Sequence, residues 1–253
     1  MSWAMERRTL ILVIIGLVIL TLLAGVAIAT FYNAPTCNDG KQNEDEAGID
    51  CGGASCTYLC SASLYVPTIS YVRTLSLPNG RTDVIAYVEN KNTNAFVRNA
   101  EYTLELFDAN HTQVGTQSGV LDLPSAGGAP VYLPNLFTGN AKVVQAFLTF
   151  TEGSLNWQSG EPHDPRVSVT DSVLVRTPTP RLTAILMNNT PDPIAGVKVI
   201  AGVMDTKGNA IAASQTVVSY IPAFEQATAV FTWNEPFSAT TTLEYIYPVN
   251  VSL

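Results

Sequence analysis

Charged residues and histidine are scarce in this chain of 253 residues. Asp, Glu, Lys and Arg occupy 13% of the positions, against a usual share of about 25%, and there are two histidines. The formal net charge of −8 argues against nucleic acid as a partner, because nothing here could neutralise a row of phosphates. All four cysteines fall between Cys37 and Cys60, so the remainder of the chain has no disulfide framework.

Sequence signatures of common catalytic sites are also absent. The chain has no G-x-S-x-G, S-x-x-K, HExxH or Walker motif. His111 lies in a predicted hairpin turn and His163 in a predicted linker, and neither has a patterned catalytic partner. We therefore predict that this protein is not an enzyme.

Much of the hydrophobicity is concentrated near the N-terminus. Residues 9–32 carry no charge, and as a helix they would extend about 36 Å, enough to cross a hydrocarbon core of about 30 Å. Arg7 and Arg8 precede this run. The positive-inside rule therefore predicts a single-pass plasma-membrane protein with a cytoplasmic segment 1–8 and the bulk of the chain outside.

A cleaved signal peptide is the alternative interpretation of the same run. Ala27-Ile28-Ala29 offers a small-x-small cleavage site. The apolar run exceeds the 7–15 residues typical of a signal peptide, which favours an uncleaved signal anchor. Both interpretations export the remainder of the chain.

Residues 33–62 form an acidic, cysteine-rich segment containing Cys37, Cys51, Cys56 and Cys60. In an exported protein an even, clustered set of cysteines predicts disulfides, and four cysteines allow three pairings. A zinc site would require two CxxC-like knuckles, which these spacings do not provide. The sequence favours disulfides and leaves the pairing open.

Four oxygen-bearing side chains follow the first cysteine at short intervals. Asp39, Asn43, Glu46 and Asp50, with Gly40 for a turn, offer the hard ligands that calcium requires. Their spacing differs from that of the EF-hand, and a solvated acidic loop is the alternative interpretation. These four residues are the candidate calcium ligands, and no other cofactor is predicted.

Residues 37–53 resemble a short module found beside membrane anchors in bacterial surface proteins. The recurring pattern is C-x-D-G-x-x-N-x-x-E-x-x-x-D-C-G-G, and this chain matches every position. The resemblance implies a location at the cell surface and no activity.

From Leu64 onward, short apolar runs alternate with turn residues, as is typical of an all-β fold. Alternation in residues 101–106 places Tyr102, Leu104 and Leu106 on one face. Except at its start, the segment 82–88 is apolar on both faces, which indicates a central strand. Gly127, Gly128 and Pro130 are predicted to interrupt the strand pattern.

Features of the β region recur after about 97 residues. Separate matches at a nearly constant offset predict two copies of one domain, with sandwiches over residues 63–162 and 163–253 and a proline-containing boundary near residues 160–165. We interpret the recurring aspartates as turn residues. The matches pair Asn90 with Asn188, Asp108 with Asp205, Leu123-Pro124 with Ile221-Pro222, and Phe137 with Trp233.

The stretch Leu104-Glu105-Leu106-Phe107-Asp108 resembles the FxLYD module, an immunoglobulin-like sandwich of prokaryotic envelope proteins. Leu104 and Phe107 stand where the family has Phe and Tyr, and the second copy has Ala201, Val203, Met204 and Asp205 at the corresponding places. The resemblance implies an immunoglobulin-like fold and an envelope location, without a substrate.

These observations predict an all-β protein with two tandem immunoglobulin-like antiparallel sandwiches, preceded by a transmembrane helix and a small disulfide-rich segment. The predicted function is non-enzymatic binding, adhesion or assembly with an unknown protein partner in the cell envelope. The alternative is a structural spacer or accessory subunit of a larger envelope complex.

Overall fold

The chain divides into two compact units, Met1–Cys56 and Thr57–Leu253. Within the described residues, the first unit contains one helix and most of the cysteine-rich segment, and the second contains thirteen strands. The prediction of an all-β fold with one apolar helix is confirmed. The computed structural model describes residues 3–31, 36–43, 45–54, 56–77, 80–139, 141–160, 166–237 and 241–249.

Helix α1 spans Trp3–Phe31. It begins inside the segment predicted to be cytoplasmic, because Met5, Glu6 and Arg7 are themselves good helix formers. The stretch Arg7–Ala27 has a mean hydropathy of 3.1 and none of it is buried in the structure. The helix is therefore long and apolar enough to span a membrane.

The first seven strands form two antiparallel sheets, β1-β2-β5 and β4-β3-β6, with β7 paired to the start of β3. Trp157 lies in β7 and is buried in the first core. The strands are β1 (Thr68–Ser76), β2 (Thr82–Asn90), β3 (Ala95–Phe107), β4 (Gln113–Leu123), β5 (Gly127–Leu136), β6 (Gln145–Phe150) and β7 (Trp157–Ser159).

The last six strands repeat this arrangement as sheets β8-β9-β12 and β11-β10-β13. Each strand from β8 to β13 starts 96–99 residues after its counterpart among β1 to β6, and residues 161–165 between the two sets lie outside the described part. The strands are β8 (Val167–Val175), β9 (Arg181–Asn188), β10 (Ile194–Asp205), β11 (Ala210–Ile221), β12 (Gln226–Thr232) and β13 (Thr241–Val249).

Each pair of sheets encloses its own apolar core. Tyr102, Leu104 and Leu106 point into the first core, as the alternation of residues 101–106 predicts. Leu182, Leu186 and Phe231 are among the fully buried side chains of the second. The segment after Cys56 adds to the first core, because Leu59 packs against it and its amide donates to the Trp157 carbonyl at 2.8 Å.

Strand β5 differs from the prediction that Gly127, Gly128 and Pro130 would interrupt it. All three lie within the strand. Pro130 is tolerated because β5 is an edge strand, where a missing N–H costs no ladder hydrogen bond. At Gly128 a Cβ would lie 2.6 Å from the Val88 carbonyl oxygen and 2.7 Å from the Tyr87 ring, so the glycine is required by close packing.

A third apolar cluster lies between the two sandwiches. The outer face of β1-β2-β5 packs on the outer face of β11-β10-β13 through Ile85, Tyr132, Ile200 and Met204. Gly202 makes this approach possible, since a Cβ there would lie 3.0 Å from Cδ1 of Ile85. Strand β2, predicted to be central, therefore buries both of its faces.

Tyrosines extend this interface. The Tyr87 and Tyr247 rings stack with centroids 5.0 Å apart, and Tyr71 stacks on Tyr87 at 6.3 Å. The Tyr132 hydroxyl donates to the Asp83 carboxylate and lies 3.3 Å from the Ala213 carbonyl oxygen. Burial, followed by the bond to Asp83, raises the pKa of Tyr132 well above its ordinary value.

A buried asparagine closes the same corner of each sandwich. Nδ2 of Asn90 donates to the Ala95 and Pro124 carbonyls at 2.7 and 2.8 Å. Asn188 repeats this role, donating to the Asp192 carbonyl at 2.8 Å and to those of the β11–β12 connection. The recurrence of Asn90 and Asn188 therefore has a structural cause.

Replacing Asn188 by alanine should lower the free energy of unfolding by about 2 kcal/mol, because several buried carbonyls lose their donor. Denaturant unfolding of the full chain in detergent measures this. The exposed neighbour Asn189 is the control, and Asn189→Ala should change stability by less than about 0.5 kcal/mol. Equal losses in both variants would contradict the prediction.

Candidate functional site

The candidate site is the acidic loop held by the cysteines. Cys37 and Cys56 form a disulfide with their Cα atoms 5.5 Å apart. Cys51 and Cys60 are also disulfide-bonded, and none of the four cysteines is free. The prediction of disulfides is confirmed, and thiolate ligation of zinc is excluded because no thiol remains.

The Asp50 carboxylate ties the two ends of the motif together. It accepts hydrogen bonds from the backbone amides of Asp39 and Gly40 at 2.9–3.0 Å. Gly40 has a φ of 73°, a conformation that glycine adopts without strain. Asp50 therefore satisfies two neighbouring backbone donors across eleven residues of chain.

The Asp39 carboxylate organises the turn that follows it. It accepts from the Lys41 amide at 2.9 Å and from Nδ2 of Asn43 at 2.9 Å. The bond from Asn43 is the largest cause of a lowered pKa for Asp39, and the bond from Lys41 acts in the same direction. The bonds from Lys41 and Asn43 thus hold the exposed Asp39 carboxylate against its own turn.

Glu46 is the buried member of the set, with 8% of its surface exposed. Its Oε2 accepts from the Asn43 amide at 3.2 Å, and the Glu46 amide donates back to the Asn43 carbonyl at 3.1 Å. Oε1 of Glu46 lies 3.3 Å from Sγ of Cys56. Glu46 thus packs against the disulfide while it closes a tight turn.

The last glycine of the motif, Gly53, is also required by close packing. A Cβ at Gly53, where φ is 76°, would overlap the Asp45 carbonyl. The Asp45 carboxylate then accepts from the Ala54 amide at 2.5 Å. Hydrogen bonds and close backbone contacts therefore account for the Asp, Gly, Asn and Glu residues and the last Gly of the pattern.

The four candidate calcium ligands therefore share one loop and act as acceptors or donors within it. Among the described residues, the possible metal ligands that come within 4.8 Å of one another as a group are Cys37, Glu46 and Cys56. The two sulfurs of this group are bonded to each other. Calcium binding by Asp39, Asn43, Glu46 and Asp50 stays a prediction.

The recurring aspartates are turn residues, as predicted. Oδ1 of Asp108 accepts from the amides of Asn110 and Thr112 at 2.8 and 2.9 Å. Oδ1 of Asp205 accepts from those of Lys207 and Asn209 at the same distances. These bonds end β3 and β10 in the same hairpin turn.

Of the two histidines, His111 lies within the described residues. His111 is exposed and lies in the first of these turns with a φ of 60°, whereas Gly208 occupies the same place in the second turn with a φ of 78°. His163 lies outside the described residues. His111 thus stands at a left-handed position that favours glycine.

No protein-family model matches this chain, and no curated protein matches it. Two similar solved structures are an exo-chitosanase CsxA of Amycolatopsis orientalis and an inhibitor-bound exo-β-D-glucosaminidase CsxA, both 14% identical in sequence. They match 72% and 70% of this chain and 26% of their own chains, with TM-scores of 0.19 and 0.17, so this likeness carries no argument.

Replacing Asp50 by asparagine should accelerate hydrogen exchange at the Asp39 and Gly40 amides about ten-fold or more, since hydrogen bonds to a charged acceptor contribute about 1.5–3 kcal/mol. Exchange measured by NMR or mass spectrometry tests this. The control Asp192→Asn should leave both amides unchanged. Unchanged exchange in Asp50→Asn would contradict this role, and protection that rises with added calcium in the wild type alone would support the calcium site.

The paired turns give a second prediction. His111→Gly should raise the free energy of unfolding by about 1 kcal/mol, because it removes the cost of a left-handed conformation, and Gly208→Ala should lower it by a similar amount. No atom lies within 4 Å of a Cβ placed at Gly208, so the second change isolates the backbone effect. Denaturant midpoints of the two variants check this, and changes of the same sign would contradict it.

Proposed function

We propose that this chain is a single-pass plasma-membrane protein whose two sandwiches lie outside the cell. There they form a non-enzymatic binding module for a protein partner in the envelope, in adhesion or assembly. The observation that carries the proposal is an exposed apolar stretch, Arg7–Ala27, joined to a disulfide-bonded loop and thirteen strands.

The disulfides support the orientation. Disulfides persist in oxidising compartments outside the cytoplasm, and Cys37 and Cys56 follow the helix in the chain. Arg7 and Arg8 precede the apolar stretch, and Lys41 is the first basic residue after it. Both features favour a cytoplasmic N-terminus.

The roles of the polar side chains support binding over catalysis. The carboxylates that recur or cluster in the sequence accept hydrogen bonds from their own loops, as Asp39 and Asp50 do in the disulfide loop and Asp108 and Asp205 do in the hairpins. Binding by sandwich domains uses loops and sheet faces, which these contacts hold in place.

We also propose that both sandwiches are immunoglobulin-like domains. Its support is the distribution of six consecutive strands as β1-β2-β5 and β4-β3-β6 in the first copy, and equivalently in the second. In the FxLYD-like stretch, Leu104 and Leu106 lie in the core and Asp108 in the turn, so the motif serves the fold.

The spacer is the second candidate function. The packed interface around Ile85 and Ile200 limits motion between the sandwiches, which suits an element that holds a partner at a fixed height. Under this alternative, the transmembrane helix would itself pack on neighbouring subunits.

In vivo crosslinking followed by purification through a C-terminal tag tests the binding role. The expected result is a reproducible protein partner together with a full-length product that retains residues 1–29. A matched variant carries an unrelated apolar span in place of residues 9–32. It should retain the partner if the sandwiches bind and lose it if the helix assembles.

Recovery of no reproducible partner would overturn the binding role. A product shortened by about 29 residues would overturn the membrane anchor, because a signal peptidase would then have cleaved after the small-x-small site.

A further inference from the structure

The contact between the sandwiches joins two different sheets. The first sandwich contributes β1-β2-β5 and the second contributes β11-β10-β13. By the internal repeat, the counterparts of these sheets are β8-β9-β12 and β4-β3-β6. Because the contact joins two different faces, the outer faces of the counterpart sheets, β8-β9-β12 and β4-β3-β6, stay outside it. We call these two the spare faces.

The spare face of β8-β9-β12 carries exposed apolar residues beside a cation. Val173 and Val175 on β8 are 56% and 50% exposed. Arg181 on β9 is exposed and pairs directly with Val175 across the sheet. Side chains with such exposure are available to a partner.

The spare face of β4-β3-β6 carries exposed apolar residues beside anions. Val120 and Phe147 are 60% and 47% exposed. In register, Val120 pairs with Glu101, and Phe147 pairs with Glu105. Exposed Asp171 also lies on the β8-β9-β12 face, opposite Ile185, and Arg98 lies over the Phe96 ring at the start of β3. The charge match between the two spare faces is therefore local, with Arg181 on one and Glu101 and Glu105 on the other.

The contact between β1-β2-β5 and β11-β10-β13 serves as a template for a contact between their counterparts, β8-β9-β12 and β4-β3-β6. Ile85 contacts Gly202, Tyr87 stacks on Tyr247, and Tyr132 reaches Ala213. Aligning the repeats on Asn90 with Asn188 and on Asp108 with Asp205, together with the strand registers, converts these contacts into three others. They are Thr183 with Glu105, Ile185 with Thr149, and Val230 with Thr116.

The counterpart positions also differ in charge. Asp83 lies two residues before Ile85 on the outer face of β2, and its counterpart two residues before Thr183 is Arg181. Gly202 is replaced by Glu105. In the converted contact, Arg181 would therefore come within reach of Glu105.

We propose that a second copy of this chain covers the spare face. The outer face of β8-β9-β12 in one copy binds the outer face of β4-β3-β6 in the next, repeating between molecules the contact made within each molecule. Because the two faces differ, the association is head to tail, and every added copy leaves both faces available at the ends.

This inference rests on the proposed function, since it names the partner in the assembly. It is tested with two differently tagged full-length copies in the same membranes. One carries Val230→Cys and the other Thr116→Cys, and a short bismaleimide joins free thiols only, which spares the native disulfides. The expected crosslinked yield is at least five-fold above that of Val230→Cys with Lys207→Cys, a control in an exposed turn.

A charge exchange separates this contact from misfolding. Arg181→Glu in the Val230→Cys copy should lower the yield at least five-fold. Adding Glu105→Arg to the Thr116→Cys copy should restore it, because the ion pair returns with reversed sign. Restoration cannot follow from an unfolded first copy.

Other outcomes would overturn the inference. Efficient crosslinking of Val230→Cys with itself would indicate a symmetric dimer, and background yield in every combination would exclude this contact. If yields stay at background while the in vivo crosslinking recovers a different envelope protein, self-association fails and the proposed binding role stands.

Discussion

Burial of both faces of two strands is the constraint on which the described β structure depends. Val84, Ala86 and Val88 of β2 face the first core, while Ile85 faces the second sandwich. In β10, Val197, Val199 and Ala201 face the second core, while Ile200 and Met204 face the first sandwich. Apolar area removed from water on both sides contributes about 25 cal/mol per Å², so these strands bind four sheets into one stack.

The internal repeat explains why the chain builds two similar sandwiches, which then pack together through one outer face of each. Both copies retain the buried asparagine at the end of their second strand and the aspartate at their hairpin. They differ at the outer positions. Gly202 lets two sheets approach closely, whereas Glu105 at the corresponding place favours an ionic partner. Local structure is therefore shared between the copies, and the side-chain chemistry of the outer positions is not.

In the disulfide loop the acidic residues have a structural role as hydrogen-bond acceptors. Backbone amides that point into a small loop need acceptors, and a loop without a core supplies few. Asp39, Glu46 and Asp50 supply them, and the glycines permit the approach. Oxygen ligands for calcium and acceptors for amides are the same atoms, so the sequence pattern alone could not distinguish the two roles.

The sequence by itself determined the membrane-length helix, the all-β class, the alternation that places Tyr102, Leu104 and Leu106 in a core, the disulfides and the turn role of the aspartates, because each depends on local composition or periodicity. It misplaced the start of β5, where Pro130 lies in a strand because that strand is at an edge. Only the tertiary structure decided that Cys37 pairs with Cys56 and that β1-β2-β5 packs on β11-β10-β13. Both depend on contacts between residues distant in the chain, and periodicity shows that a face is apolar without naming the surface that covers it.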